Sequence, residues 1–413
     1  MLIDLNKQSK IWAILIFLLL ATFSPVQIEV SGRTLFHITE LAVLAPLIIL
    51  FILRKSIRYP RPLNNITLII LLVISLYAII GFIFQNDIGE IIGPYRKLLI
   101  DPILACVLGY TLGHQKNENT YLDKALDIYT ILLFIIGVTY ILWGQTFGQE
   151  YGYVPRLGGI IVSIVLYREL ISYLNNKQKR LTVAKIIFVI VLIFFTSARG
   201  IYVGVLVGLS VLGFKYFSFR LSIKTTLKYV GILLVNVMIL YSVISRNASV
   251  SGKVVKLYMD FNTFYTDDYG VSGAEWNNVA LRYYLYQDAL ATVAENPILG
   301  HGIAFNPGSF WLGGLWQMEF DHTPHNYYIY LLLKFGIVGL ALFLIYIYNI
   351  LSMLHNTKND QVYSLFLFAV TMYIYASLDV FLMSNYSAII IFYFLVGLGL
   401  AFRKKESFVK ERS

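Results

Sequence analysis

The chain of 413 residues is 58% hydrophobic and only 14% charged, against about 45–50% apolar and 25% charged residues in an ordinary soluble domain. That balance excludes a water-soluble fold, because the apolar residues run in blocks long enough to cross a hydrocarbon core, which takes about 20 helical residues. The formal charge of +10 comes without a soluble basic domain, so it reflects membrane topology and anionic lipid rather than nucleic acid.

In chain order, hydropathy predicts spans at 11–30, 35–53, 66–84, 96–112, 125–143, 157–174, 181–197, 201–219, 228–244, 326–348, 362–380 and 384–402. The run bracketed by Lys185 and Lys215 is too long for one crossing and tight for two, and a hairpin with both lysines snorkelling accommodates it. Charge placement supports the hairpin. With it, Lys7 and Lys10, Arg54 to Arg61, Lys116 and Lys124, Lys177 to Lys185, Lys215 to Lys228, Lys358 and Arg403 to Arg412 all face one side, which the bias of lysine and arginine makes cytoplasmic. The expected fold class is an all-α polytopic membrane protein of about twelve transmembrane helices. It forms a single membrane domain over 1–413 with both termini cytoplasmic and the first span kept as a signal anchor. Cys106 stands alone inside a span and gives no disulfide framework.

Residues 245–325 interrupt this rhythm and are expected to form a large extracytoplasmic loop between spans 9 and 10, carrying part of the active site. Within it, 274–295 reads as a helix ended by Pro297 and the glycines of Asn-Pro-Ile-Leu-Gly-His-Gly (296–302). A Gly- and Trp-rich stretch (309–317) follows, with Trp311 and Trp316 read as interface anchors. Asp-His-Thr-Pro-His-Asn (321–326) then opens the tenth span, Pro324 suiting a first helical turn. The acids Asp267 and Asp268 read as solvated. His301, His322 and His325 lack the spacing of a zinc site, so neither metal nor cofactor is expected.

Basic residues at span ends are the candidate chemistry. His325, at the boundary, is a workable general base if the positive helix end keeps its ring neutral; the plainer alternative is a helix cap. Nine residues beyond Asn326 comes Gly336-Ile-Val-Gly339, which reads equally as a pair letting a neighbour pack closely. Arg199, in Thr-Ser-Ala-Arg-Gly (196–200), sits on the translocated side against the charge bias and calls for an anionic partner. Arg282 on the loop helix, Arg156 in Pro-Arg-Leu-Gly-Gly (155–159) and Arg96-Lys97 in Gly-Pro-Tyr-Arg-Lys (93–97) lie on that same side. A guanidinium fork matches phosphate oxygens.

These elements together resemble the O-antigen ligase and Wzy-type polysaccharide polymerase superfamily of bacterial membrane glycosyltransferases. The likeness rests on the twelve-span layout, the apolar hairpin with Ser-Ala-Arg-Gly, and one long loop between late spans. That loop carries Arg282 ahead of Glu-Asn-Pro-Ile-Leu-Gly-His-Gly (295–302) and closes on His325-Asn326-x₉-Gly336-x-x-Gly339. The stretch after Arg156 departs from the family pattern in lacking Pro-Asn.

The resemblance implies transfer of a glycan from a polyprenyl (undecaprenyl) diphosphate carrier to an acceptor sugar hydroxyl on the outer face of the bacterial cytoplasmic membrane. It implies a metal-independent, inverting enzyme acting as polymerase or ligase. Arg199 and Arg282 match the family's diphosphate-binding arginines and His325 its essential histidine, with Arg156, Arg96, Lys97, His322 and Asn326 as further substrate contacts. The implied partners are a lipid-linked glycan donor, a lipid-linked or lipid A core glycan acceptor, membrane lipids, and flippase and chain-length regulator proteins. The competing reading is a twelve-span transporter or flippase of lipid-linked glycans. Transporters place ionisable groups near the midplane, whereas here only Asp101 and Asp379 are candidates for acids within spans. A non-catalytic scaffold would leave the outer arginines and His325 unexplained.

Overall fold

The computed structural model describes residues 7–23, 27–30, 33–37, 43–48, 60, 64–83, 88–114, 120–143, 156–175, 179–195, 199–216, 278–305, 310–312, 316–318, 324, 326–378 and 386–410. Besides a helical stretch at 43–48, the described helices are α1 (Lys7–Phe23), α2 (Asn64–Ile83), α3 (Ile88–Tyr95), α4 (Asp101–Gly113), α5 (Thr120–Trp143), α6 (Arg156–Leu174), α7 (Lys179–Phe195), α8 (Arg199–Tyr216), α9 (Asn278–Glu295), α10 (Tyr327–His355), α11 (Asp360–Leu378) and α12 (Tyr386–Lys410). Two antiparallel ribbons join them: β1 (Gln27–Val30) with β2 (Arg33–His37), and β3 (Phe310–Leu312) with β4 (Trp316–Met318). Among the described residues, α6 from Leu157, α10 and α11 are each long and apolar enough to cross a membrane. Shorter apolar helices cover Asn65–Ile79, Leu181–Ile193, Gly200–Tyr216 and Ser387–Arg403.

Hydropathy located the helices better than their ends. The first predicted span stops at Phe23, and the ribbon β1–β2 takes up the rest of it together with the start of the second. The composition explains this. Pro25 cannot continue a helix, and the Ser31-Gly32 pair between two segments rich in β-branched residues suits a two-residue hairpin turn. The run between Lys185 and Lys215 does form two helices, α7 and α8. The predicted span at 228–244 and the acid pair Asp267-Asp268 lie outside the described residues, as does Asp379.

The centre of the bundle is α11, buried along nearly its whole length. Glycines let its neighbours approach. Gly200, Gly204 and Gly208 recur every fourth residue and so line one stripe of α8. A methyl group at Gly200 would lie 2.6 Å from the Tyr375 ring, and one at Gly204 would lie 2.7 Å from the Thr371 carbonyl. The same device brings α4 to α12, where Gly109 and Gly397 face main-chain carbonyls of Phe394 and Cys106 and leave no room for a Cβ. Without a hydrophobic effect between helices in lipid, this close approach is a main source of cohesion.

Polar ties fix the helix order at the end of α11 that bears Asp360. Arg168 of α6 pairs with Asp123 at 3.2 Å, with Glu169 at 2.8 Å and with Asp127. Lys185 of α7 reaches Asp127 and Glu169 at 3.5 Å, and Gln361 donates to Asp123 at 3.1 Å. Asn175, just past α6, donates to Asp360 at 3.1 Å. Three carboxylates and two cations from α5, α6 and α7 thus pair with one another, which lets Glu169 lie buried and Arg168 half-buried in an apolar bundle.

Candidate functional site

Antiparallel packing sets which residues share the other end. Because Asn175 meets Asp360 while Tyr167 meets Thr371 at 2.5 Å, α6 runs opposite to α11 and its first residue, Arg156, lies towards Leu378. Helix α8 also runs opposite to α11: its Lys215 stands 3.2 Å over the Tyr363 ring, and Gly200 abuts Tyr375 and Leu378. Arg199, the first residue of α8, is therefore at the last turn of α11.

The start of α10 arrives at the same turn. Asn326 is its N-cap, the side-chain oxygen accepting from the amides of Tyr328 at 2.9 Å and Ile329 at 3.1 Å. Its Nδ2 donates to the Ser377 carbonyl at 2.9 Å, and Tyr328 Oη donates to the Tyr373 carbonyl at 2.9 Å. One side chain thus caps a helix and ties it to a neighbour. His325, bonded to this asparagine, and His322 lie outside the described residues.

Lys97 joins the group through α4. It lines a small recess with Pro102, Tyr327, Phe343, Tyr373, Ile389 and Tyr393. This recess shares walls with an apolar cavity of about 50 Å³ that extends past Thr67, Leu99, Leu331 and Phe335 to Tyr346. The backbone before α4 is unusual. Residues Arg96–Ile100 form a π-turn, the Asp101 amide bonding to the Arg96 carbonyl. Pro102 has no N–H for the Leu98 carbonyl and its ring would strike that group, so widening of the helix is the local solution. Such widenings favour functional sites, and this one carries both Arg96 and Lys97.

The arrangement therefore brings Arg199, Asn326 and Lys97 to one end of the bundle, with Arg156 at that same end. Arg282 is placed differently. It lies on α9, which packs on α10, about 20 Å along the helix from the α9–α10 junction.

That junction explains the glycine pair and the Asn-Pro-Ile-Leu-Gly-His-Gly stretch together. Helix α10 is broken at Gly336, whose φ of 61° and ψ of −165° suit glycine alone. The break withdraws two helical bonds, those from the amides of Ile337 and Val338 to the carbonyls of Leu333 and Lys334. The 297–302 loop restores all four groups. His301 and Gly302 amides donate to the Leu333 and Lys334 carbonyls at 3.0 and 2.9 Å, while Ile337 and Val338 amides donate to Pro297 and Ile298 carbonyls at 2.9 and 3.2 Å. Tyr77 of α2 donates to the Leu299 carbonyl and, at 3.4 Å, to the Phe335 carbonyl. A Cβ on Gly336 would overlap the Ile298 carbonyl, and one on Gly339 would overlap Phe335. Of the two readings of the pair, close packing is the one these contacts support.

Lys334 is the polar residue that hydropathy passed over. Buried in α10, its Nζ donates to the carbonyls of Ile303 and Phe305 at 2.7 Å each and lies 5.2 Å from the Tyr330 ring. An ionisable residue inside a predicted span is itself a signal, and it was there in the sequence. His301 completes the loop, with Nε2 2.7 Å from the Thr292 carbonyl and its ring stacked on Phe305 at 4.4 Å.

The apolar crossing helices, satisfied internally where their backbone breaks, define a membrane protein. Residues 184–344 match the family model described as O-antigen ligase, Wzy_C. The chain is also similar to a Rickettsia conorii protein that carries the name polysaccharide ligase, with 25% identity over 217 residues covering 51% of this chain and 48% of that one. The match thus spans about half the length of that relative. Both comparisons agree with the resemblance read from the hairpin and loop motifs, and the matched interval includes Arg199, Arg282, the 297–302 loop, His325 and the glycine pair.

Proposed function

We propose that this protein transfers a glycan from a polyprenyl diphosphate carrier to an acceptor sugar hydroxyl at the extracytoplasmic face of the bacterial cytoplasmic membrane, as polymerase or ligase. The observation that carries the reading is the convergence on the last turn of α11: Gly200 seats the helix begun by Arg199, and Asn326 ties the helix that follows His325. Helices α6, α8 and α10 all begin at this end. Their partial positive charges add to those of Arg156, Arg199 and Lys97 and favour a diphosphate.

In this mechanism His325 accepts the proton of the acceptor hydroxyl. The oxygen attacks the anomeric carbon, and the bond from that carbon to the diphosphate oxygen breaks, with inversion. Arg199 neutralises the charge that develops on the departing carrier, in surroundings where each contact counts for more than in bulk water, and the family resemblance assigns Arg282, on α9, the same role. Arg156, Arg96, Lys97, His322 and Asn326 supply further donor and acceptor contacts. The reaction needs neither nucleotide sugar nor metal. Flippase and chain-length regulator proteins are the partners such an activity calls for.

The test uses purified protein in lipid with an undecaprenyl diphosphate-linked repeat unit, read by gel laddering and carrier release, with and without EDTA. Arg199→Ala, Arg282→Ala and His325→Ala are each expected to lower carrier release by about 100-fold or more at unchanged expression. Laddering marks a polymerase, whereas one transfer to added lipid A core acceptor marks a ligase. Movement of intact lipid-linked glycan across sealed vesicles without carrier release would replace this reading with that of a flippase.

A further inference from the structure

The tip of the loop that repairs α10 carries two large apolar side chains that stand exposed among the described residues. Ile298 and Leu299 are 64% and 60% exposed, and beside them on α10 Ile337 and Val338 are 58% and 40% exposed. The bond from the Val338 amide to the Ile298 carbonyl makes the four residues one continuous patch.

Its depth follows from α10. From Ile337 to His355 the helix runs on unbroken for about 28 Å, close to the roughly 30 Å of a hydrocarbon core. His355 packs against Tyr363 and Phe366 near the Asp360 end of α11. Ile337 consequently lies at the opposite boundary of the core. Polar groups on the loop side agree with a boundary rather than a midplane position: Glu295 and Asn296 are exposed immediately before the apolar tip, as is Asp288 further back on α9. Backbone at that depth must be satisfied by protein; the four bonds to α10, with the Gly300 amide on the Asn296 carbonyl and Tyr77 Oη on the Leu299 carbonyl, satisfy six groups of the 297–302 loop.

We infer that Ile298 and Leu299 insert among lipid acyl chains of the leaflet at the Asn326 end of the bundle, as an anchor that pins the 278–305 segment to the membrane surface. The occupant is bilayer lipid because the patch continues the lipid-facing side of a crossing helix. Burial of two such side chains stabilises the docked loop through ordinary apolar transfer.

The experiment labels single cysteines with a nitroxide in a Cys106→Ala background reconstituted in liposomes, at Ile298→Cys, Leu299→Cys, Tyr348→Cys as lipid reference and Asp288→Cys as water reference. Collisions with oxygen and with a water-soluble nickel chelate are compared. The 298 and 299 labels are expected to favour oxygen, as at 348, and their cysteines to react at least tenfold more slowly than Asp288→Cys with a membrane-impermeant maleimide. Nickel accessibility equal to that at 288 overturns the inference. Protection from both colliders overturns it as well, since it would mean that protein covers the tip.

Discussion

Gly336 shows how one residue decides the shape of a whole segment. Its backbone conformation excludes a side chain, and the space is taken by the Ile298 carbonyl. Gly336→Ala is expected to cost about 3 kcal/mol, combining positive-φ strain of about 1–2 kcal/mol with steric displacement of the loop. Thermal unfolding in detergent, compared with a Gly93→Ala control where a Cβ meets nothing within 4 Å, measures it. Lys334 and Asn326 work at the same scale. With one side chain Lys334 satisfies two main-chain groups and Asn326 three, the first holding the end of the loop and the second the start of α10.

At the scale of elements, the α8–α11 contact carries the functional geometry. Gly204→Leu forces α8 away from the Thr371 carbonyl, and the turn bearing Arg199 moves with it. The expected outcome is a loss of carrier release of about tenfold or more, since small misplacements cost that much or more, while the protein remains membrane-inserted and expressed. Assay of the variant beside Gly93→Ala distinguishes this from loss of expression.

The hairpin of α7 and α8 and the end of α9 at Glu295 were legible, because apolar blocks and turn residues are local signals, while α8 begins at Arg199 rather than at the expected 201. The break in α10 was not. Hydropathy reads 326–348 as one apolar span, and the groups that mend the break come from residues 297–302, a non-local fact. The π-turn at Arg96 is an intermediate case: Pro102 announces a disturbance without saying which kind. The β1–β2 ribbon was hidden for the opposite reason, since its apolar strands read as continuation of a span.

For the molecule as a whole, topology is the testable quantity. Reporter fusions should give cytoplasmic signals after Leu174, after Tyr216 and at the C-terminus, and extracytoplasmic signals after Phe195 and at Met318, following the distribution of basic residues. A signal reversed at any two of these points would remove the assignment of the Arg199 and Asn326 end to the outer face, and with it the proposed site of transfer.

The mended break also sets an order of biogenesis. A straight helix of 29 residues would measure about 44 Å, whereas the break at Gly336 folds α10 back until the rings of Tyr327 and Phe343 lie 5.2 Å apart. Its splint, residues 297–302, precedes it in the chain and is already synthesised when α10 emerges. The 297–302 loop is therefore present to pair with Leu333, Lys334, Ile337 and Val338 once α10 forms, and the break in that helix is mended only when both segments are in place.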